Sequence, residues 1–219
     1  MAYGMAAVTG VPVYETSHQI GHILAALYSA KKLSFLKAPF LAFHVSGGTT
    51  DCLLCEPDAD LCLNITQVGT SLDLKAGQAI DRVGLMLQLQ FPCGAALEQL
   101  AAVSTKQYRT KPVIREGNCC LSGLENQYTK LLAEGKNPAY VCKYCLICVA
   151  ETLTRMARAA LEDHPGLPVV FAGGVMSSDL IRTYVSARVP GARFVPGKFA
   201  SDNAIGVSIL AAREQGAWQ

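Results

Sequence analysis

Residues 39–56 read PFLAFHVSGGTTDCLLCE. Pro39 to Val45 is an apolar run of strand length, Ser46-Gly47-Gly48-Thr49 is a tight-hairpin signal, and Asp51 to Glu56 resumes a strand. Leu61 to Val68 supplies a third, so the three read as an antiparallel meander. Far downstream, Pro168 to Ala172 (PVVFA) is a buried strand, and Gly173-Gly174 joins it to a helix start. Both glycine pairs expose backbone N–H groups where an anion can approach closely, one at a hairpin tip and one at a helix N-terminus. Either pair alone is met in turns that bind nothing.

Outward from these strands the pattern alternates strand and helix, which predicts an α/β fold with a mixed sheet flanked by helices. A short strand, Val11 to Tyr14, leads into a helix over His18 to Ala30. Helices are expected over Leu72 to Leu89, stopping at Phe91-Pro92, and then over Ala95–Ala102, Gly123–Leu132 and Pro138–Glu162. Ser177–Val189 and Asn203–Glu214 complete the set, with a last strand at Arg193–Val195 between them. Ser104 to Cys120 is polar and irregular and gathers Lys106, Arg109, Lys111 and Arg115.

The 219 residues are 51% hydrophobic and 16% charged, with 19 Lys+Arg against 17 Asp+Glu, a net charge of +2. This excludes a disordered tail and a polybasic nucleic-acid arm. No apolar run approaches the roughly 18–20 residues that cross a bilayer, and the first residues lack the basic flank of a secretory signal, so the chain is read as cytoplasmic, with no membrane partner.

Nine cysteines, an odd number in a chain of this size, are read as reduced thiols. Cys142-x-x-Cys145-x-x-Cys148 has the look of an iron–sulfur run. It lies within a long helical pattern and lacks the fourth thiolate, so the three are expected to be small buried hydrophobes.

His18 and His22, four apart at the head of an apolar helix, project from one face in the manner of a metal pair. The spacing is that of a zinc-protease helix, but Gln19 stands where that chemistry needs a glutamate base, which counts against proteolysis. By itself such a pair is more often accidental than a site.

In order and spacing, SHQIGH, HVSGGTTD, GTSLDLKAGQAIDRVGLMLQLQFPCG, CLSGLENQ, FAGGVMSSDLIR and SDNAIGVSILAA resemble the universal tRNA threonylcarbamoyladenosine transferase family, earlier labelled O-sialoglycoprotein endopeptidases. The resemblance runs from about Val11 to the final helix. It implies a two-lobed actin-like ATPase fold and transfer of a threonylcarbamoyl group from its adenylate onto N6 of an adenosine in tRNA. It further implies a divalent metal, Fe(II) or Zn(II), held by His18, His22 and Asp202, which holds and polarises the carbamoyl oxygens. An adenine nucleotide or acyl-adenylate would be bound by His44, Val45, Ser46, Gly47 and Gly48 at the hairpin, by Asp81 and Gly94, and by Gly173, Gly174 and Ser178. Without the resemblance, Asp81 reads as an exposed carboxylate on a helix.

The departures from the family pattern are Cys93 for a glycine before Gly94, Ser178 for an asparagine, Gln78 for an acid and Leu74 after Asp73. They point to a divergent paralogue. The family's first lobe, with its own phosphate loop, does not precede Met1, so the expected division is residues 1–35 as the end of a first lobe with the ligand helix, 36–203 as the second lobe, and 204–219 as a helix at the lobe interface. Expected partners are tRNA, the proteins of the threonylcarbamoyladenosine machinery, and either the first lobe or a second copy. An apolar surface left by that lobe predicts self-association or poor solubility. A non-catalytic nucleotide-binding scaffold is the alternative to the transferase, and a metallo-glycoprotease is the weaker third.

Overall fold

A computed structural model describes residues 2–195 and 203–217. Its centre is a five-stranded sheet of β1 (Phe40–Val45), β2 (Thr50–Asp58), β3 (Cys62–Thr70), β6 (Val169–Ala172) and β7 (Arg193–Phe194), in the order β3-β2-β1-β6-β7. The meander β1–β2–β3 is antiparallel as the sequence predicts, with Phe40 opposite Cys55 and Val45 opposite Thr50. β6 pairs with β1 in parallel, Ala172 beside His44, and β7 continues in parallel. β1 lies in the middle and is covered on both faces, which is why its sequence is almost wholly apolar rather than alternating.

Alternation along β1 sorts the core into two layers. Leu41, Phe43 and Val45 face α3 (Ala76–Met86), α4 (Gly94–Ala102), α5 (Gly123–Ala133), α6 (Pro138–Asp163) and α7 (Asp179–Ser186). Phe40 and Ala42 face the opposite way, onto α2 (His18–Ser29) and α8 (Asn203–Glu214). Phe43 stacks on Phe171 with ring centroids 4.6 Å apart, locking β1 to β6 inside the larger layer. Two further strands, β4 (Ile114–Arg115) and β5 (Asn118–Cys119), form a separate small hairpin within the irregular stretch.

α6 is the spine of the larger layer. Asn137 caps it by accepting from the Ala139 amide at 2.8 Å, and Pro138 occupies the first turn, where its missing N–H costs nothing. Cys142, Cys145 and Cys148 are all buried along it, and all nine cysteines are free thiols, as expected. Burial raises Cys142 to about 11 and Cys145 further still.

Two sequence expectations need correction. Val11 to Tyr14 is not a strand; it is irregular, follows a helix, α1 (Ala2–Thr9), that buries none of its residues, and among the described residues finds no neighbouring strand to complete a ladder. The helix expected from Leu72 begins only at Ala76, because Asp73 turns the chain first. Its carboxylate accepts from the amides of Leu74, Leu121 (2.8 Å) and Ser122 (3.2 Å) and from the Ser122 hydroxyl.

Candidate functional site

Both glycine pairs fall at the carboxyl ends of the adjacent parallel strands β1 and β6, the edge at which ligands sit in open α/β sheets. The hairpin after β1 is closed by the Ser46 amide donating to Thr49 O at 2.8 Å. Ser46 Oγ accepts from the amides of Gly48 (3.2 Å) and Thr49 (3.1 Å), which leaves its own O–H to donate elsewhere. The tip rests on the first turn of α3, where the Gly77 amide donates to Ser46 O at 3.1 Å; a Cβ on Gly77 would lie 2.7 Å from the Gly47 backbone.

The glycines here have two different causes. Gly173 has φ +106°, and a Cβ on it would lie 2.2 Å from Val45 O, so only glycine lets β6 turn this close to β1. Gly47, Gly94 and Gly174 have no such backbone demand, and a Cβ on any of them would meet nothing within 4 Å. All three line the same open cleft, of about 590 Å³, on the α6 side of the sheet. Their missing side chains keep space clear for something other than protein.

Asp81 and Ser178 line this cleft too, with Ile80, Leu146 and Val175 as apolar wall. Asp81 Oδ1 accepts from the Cys93 amide at 2.9 Å, fixing the Phe91–Gly94 turn that carries Gly94 to the rim. The side chain is thus tied to the turn as well as available to the cleft. Ser178 caps α7 through the Ile181 amide at 3.3 Å, and its hydroxyl donates to Glu98 Oε1 at 2.9 Å. Glu98 also accepts from the Leu180 amide at 2.8 Å and lies on the cleft wall, bridging α4 to α7. Sequence reading missed Glu98. Its signal was the spacing from Gly94: four residues, one helical turn, places it on the same face of α4.

On the other face of the sheet, Ser17 caps α2 through the Ile20 amide at 3.1 Å, so the helix begins at His18 and returns His22 directly above it one turn later. Their Nε2 atoms are 3.0 Å apart. Two imidazoles in neighbouring positions around an ion at roughly 2.0–2.1 Å would be separated by about 2.9–3.4 Å, so the pair fits two ligand positions of one metal. His44, grouped by the sequence with the phosphate hairpin, is placed here instead. As the residue after Phe43 it shares the face of Phe40 and Ala42, and its ring centroid is 5.0 Å from that of His22. Burial, chiefly, and the neighbouring His22 hold its pKa below the ordinary histidine value. Asp202 lies outside the described residues. Among the described residues, no three ligating side chains converge on one point.

Val45, Gly48 and Gly173 do not line the cleft but support its edge. A histidine pair on one face and a glycine-edged cleft on the other thus meet at one end of β1 and β6.

A sheet of this order, with its ligand edge between two glycine turns, defines one lobe of the actin-like ATPase fold. Full-length HypF in its phosphate- and nucleotide-bound form superposes with a TM-score of 0.69 at 15% identity, covering 99% of this chain and 46% of that one. Component A of the Acidaminococcus fermentans (R)-2-hydroxyglutaryl-CoA dehydratase does so with a TM-score of 0.58 at 17% identity, over 97% of this chain and 74% of that one. The chain belongs to the tRNA N6-adenosine threonylcarbamoyltransferase family, whose pattern it matches over residues 1–208. The tRNA N6-adenosine threonylcarbamoyltransferase of Streptococcus suis is 29% identical over 224 residues, covering 97% of this chain and 64% of the relative. That of Streptococcus pneumoniae is 30% identical over 206 residues, covering 89% and 59%. The chain therefore spans about three fifths of the curated relatives it matches.

Proposed function

We propose that this chain forms the nucleotide- and metal-bearing part of a transferase that moves a threonylcarbamoyl group from threonylcarbamoyl-adenylate to N6 of an adenosine in tRNA. The observation that carries the reading is the set of sterically unforced glycines, Gly47, Gly94 and Gly174, around one cleft with Asp81 and Glu98 on its wall. Glycine without a backbone reason at three separate places on one cavity fits a bound ligand whose atoms take the place of side chains.

In this reading the adenylate phosphate lies at the hairpin tip, where the Ser46 hydroxyl is free to donate because its oxygen already holds the Gly48 and Thr49 amides. The nucleoside lies between Asp81 and the Gly94 turn on one side and the Gly174 joint on the other. The phosphate oxygens and the acyl group then fall at the strand ends, towards the histidine face. Reaction forms the bond from adenosine N6 to the carbamoyl carbon and breaks the carbon–oxygen bond to phosphate; AMP leaves and N6 loses one proton to water. A divalent ion, Fe(II) or Zn(II), bound by His18 and His22 with Asp202 as third ligand, would supply a Lewis acid for the carbamoyl oxygens. A separate activity must supply the adenylate, since it is consumed once per turnover.

One observation favours a second reading, a nucleotide-binding scaffold without turnover: the Ser178 hydroxyl is committed to Glu98 rather than offered to the cleft. Incubation of the metal-loaded protein with threonylcarbamoyl-adenylate and unmodified tRNA, followed by mass spectrometry of the nucleosides, separates the two. The transferase gives N6-threonylcarbamoyladenosine, and His18→Ala loses both bound metal and product. Adenine-nucleotide binding with no modified nucleoside supports the scaffold.

A further inference from the structure

The cleft and the histidines leave unexplained the basic stretch that the sequence singled out between Ser104 and Cys120. In the structure it is not a free loop. The Tyr108 ring packs edge-on against Tyr140 with centroids 4.8 Å apart, the Thr110 hydroxyl meets Cys148 Sγ at 3.5 Å, and Pro112 O accepts from Arg155 at 3.2 Å. Tyr140, Cys148 and Arg155 ascend α6, so residues 108–112, whose end Cα atoms can lie at most about 14 Å apart, follow that helix through these contacts. Pinned on this track, Lys106, Arg109, Lys111 and Arg115 are all exposed, and among the described residues none of the four is in a salt bridge. Glu116 sits on the turn of the small hairpin, and the Glu151 carboxylate is taken by Arg155 and Tyr184.

At its start the strip meets aromatic surface. The Lys106 ammonium lies 5.7 Å from the centre of the Tyr140 ring. Tyr140 borders two open pockets, one of about 330 Å³ with Lys106, Lys136 and Asn137, the other of about 310 Å³ with Lys130, Glu134 and Tyr144. Each is at the small end of ligand-sized cavities. A pinned row of exposed cations suits a chain of phosphates, and a tyrosine between two pockets suits splayed bases, the pairing that single-stranded nucleic acid uses.

We propose that the segment Lys106–Arg115 and Tyr140 form an RNA-strand surface, with the four cations following the phosphodiester backbone and Tyr140 stacking an unpaired base. The identity of the polyanion rests on the RNA-acceptor reading above; the strip itself rests on its geometry. An acidic protein would use the charges but not the ring and its pockets.

Fluorescence anisotropy with a labelled tRNA transcript, across a range of salt, tests this without any turnover. The triple variant Lys106→Glu, Arg109→Glu, Lys111→Glu is expected to melt with wild-type Tm and to bind ATP as wild type does. Its RNA affinity is expected to fall tenfold or more, and the slope of log affinity against log salt to flatten by about 2. Tyr140→Leu is expected to weaken an unstructured RNA oligonucleotide about fivefold or more at unchanged slope. RNA affinity and slope equal to wild type in the triple variant would overturn the proposal, as would displacement of the RNA by polyglutamate at equal charge concentration. A chain that binds RNA through these residues yet never modifies it would remove the transferase reading and leave the strip standing. A chain that modifies tRNA with the strip reversed, at undiminished affinity, would do the opposite.

Discussion

Gly173 and Gly174 are neighbours in sequence with opposite reasons for being glycine, and alanine at each should separate them. At Gly173 the backbone has φ +106° and a Cβ would stand 2.2 Å from Val45 O, against an ordinary contact of 3.4 Å or more. Relieving that overlap requires the main chain to move by over 1 Å where Ala172 pairs with His44. The unfavourable backbone region costs about 1–3 kcal/mol, and a strained strand-end hydrogen bond adds roughly 1 kcal/mol. The sum, about 3 kcal/mol, corresponds in a chain of this size to a Tm lower by roughly 6–12 °C. At Gly174 a Cβ meets nothing within 4 Å, so Gly174→Ala should change stability by no more than about 0.5 kcal/mol. Its methyl group enters the cleft, however, and ATP affinity should fall about tenfold, equivalent to roughly 1.4 kcal/mol. Thermal unfolding followed by circular dichroism, with ATP titration of both variants, reads the two effects. Gly173→Ala melting within about 2 °C of wild type, at most about 1 kcal/mol, would refute the steric argument. Gly174→Ala with wild-type ATP affinity would refute the assignment of the open glycines to a ligand.

Three further outcomes follow from the packing. A Cβ on Gly206 would lie 1.7 Å from Gly21 O at the crossing of α8 over α2, so Gly206→Ala should lower Tm at least as far as Gly173→Ala and displace the His18–His22 helix. Of the nine thiols only Cys120 is exposed. A thiol-disulfide reagent should modify one cysteine quickly in native protein, while the others, with Cys55 raised to about 12 and Cys119 to about 11 by burial, react only on unfolding. Partial burial pushes the Asp73 carboxyl up, but hydrogen bonds from Ser122, Leu121 and Leu74 outweigh it and hold the group below its usual range. A carboxyl lowered on folding stabilises above its unfolded value, about 3.9, and that contribution is lost as pH falls through the lower folded value. Urea unfolding between pH 5 and pH 2 should therefore show less acid dependence in Asp73→Asn than in wild type.

The sheet was legible because β1, β2 and β3 follow each other directly and the glycine hairpin marks their turn. α6 was equally clear from its period and its Asn137-Pro138 start. Val11–Tyr14 was misread because a strand is a property of two segments, and nothing in VPVY reveals whether a neighbour exists. The start of α3 was misplaced for a similar reason: Asp73 accepts from Leu121 and Ser122, nearly fifty positions away, and local propensity does not carry that contact. At the site, the motif placed His44 with the glycine hairpin, whereas strand alternation sends its side chain to the histidine face. Glu98 carries only the one-turn spacing from Gly94 in the sequence, and its bonds to Ser178 and Leu180 exist only once α7 rests on α4. The glycines were seen but not their causes, since only three-dimensional contact distinguishes Gly173, which the backbone requires, from Gly174, which it does not.

The central claim is that the cleft edged by Gly47, Gly94 and Gly174 holds an adenine nucleotide, and calorimetric titration of the protein with ATP tests it most directly. One site per chain is predicted, lost in Gly47→Val, whose side chain would occupy the cleft without disturbing the backbone, and retained in His18→Ala, on the opposite face of the sheet. Absence of binding by the folded wild-type protein, or wild-type affinity in Gly47→Val, would contradict the account.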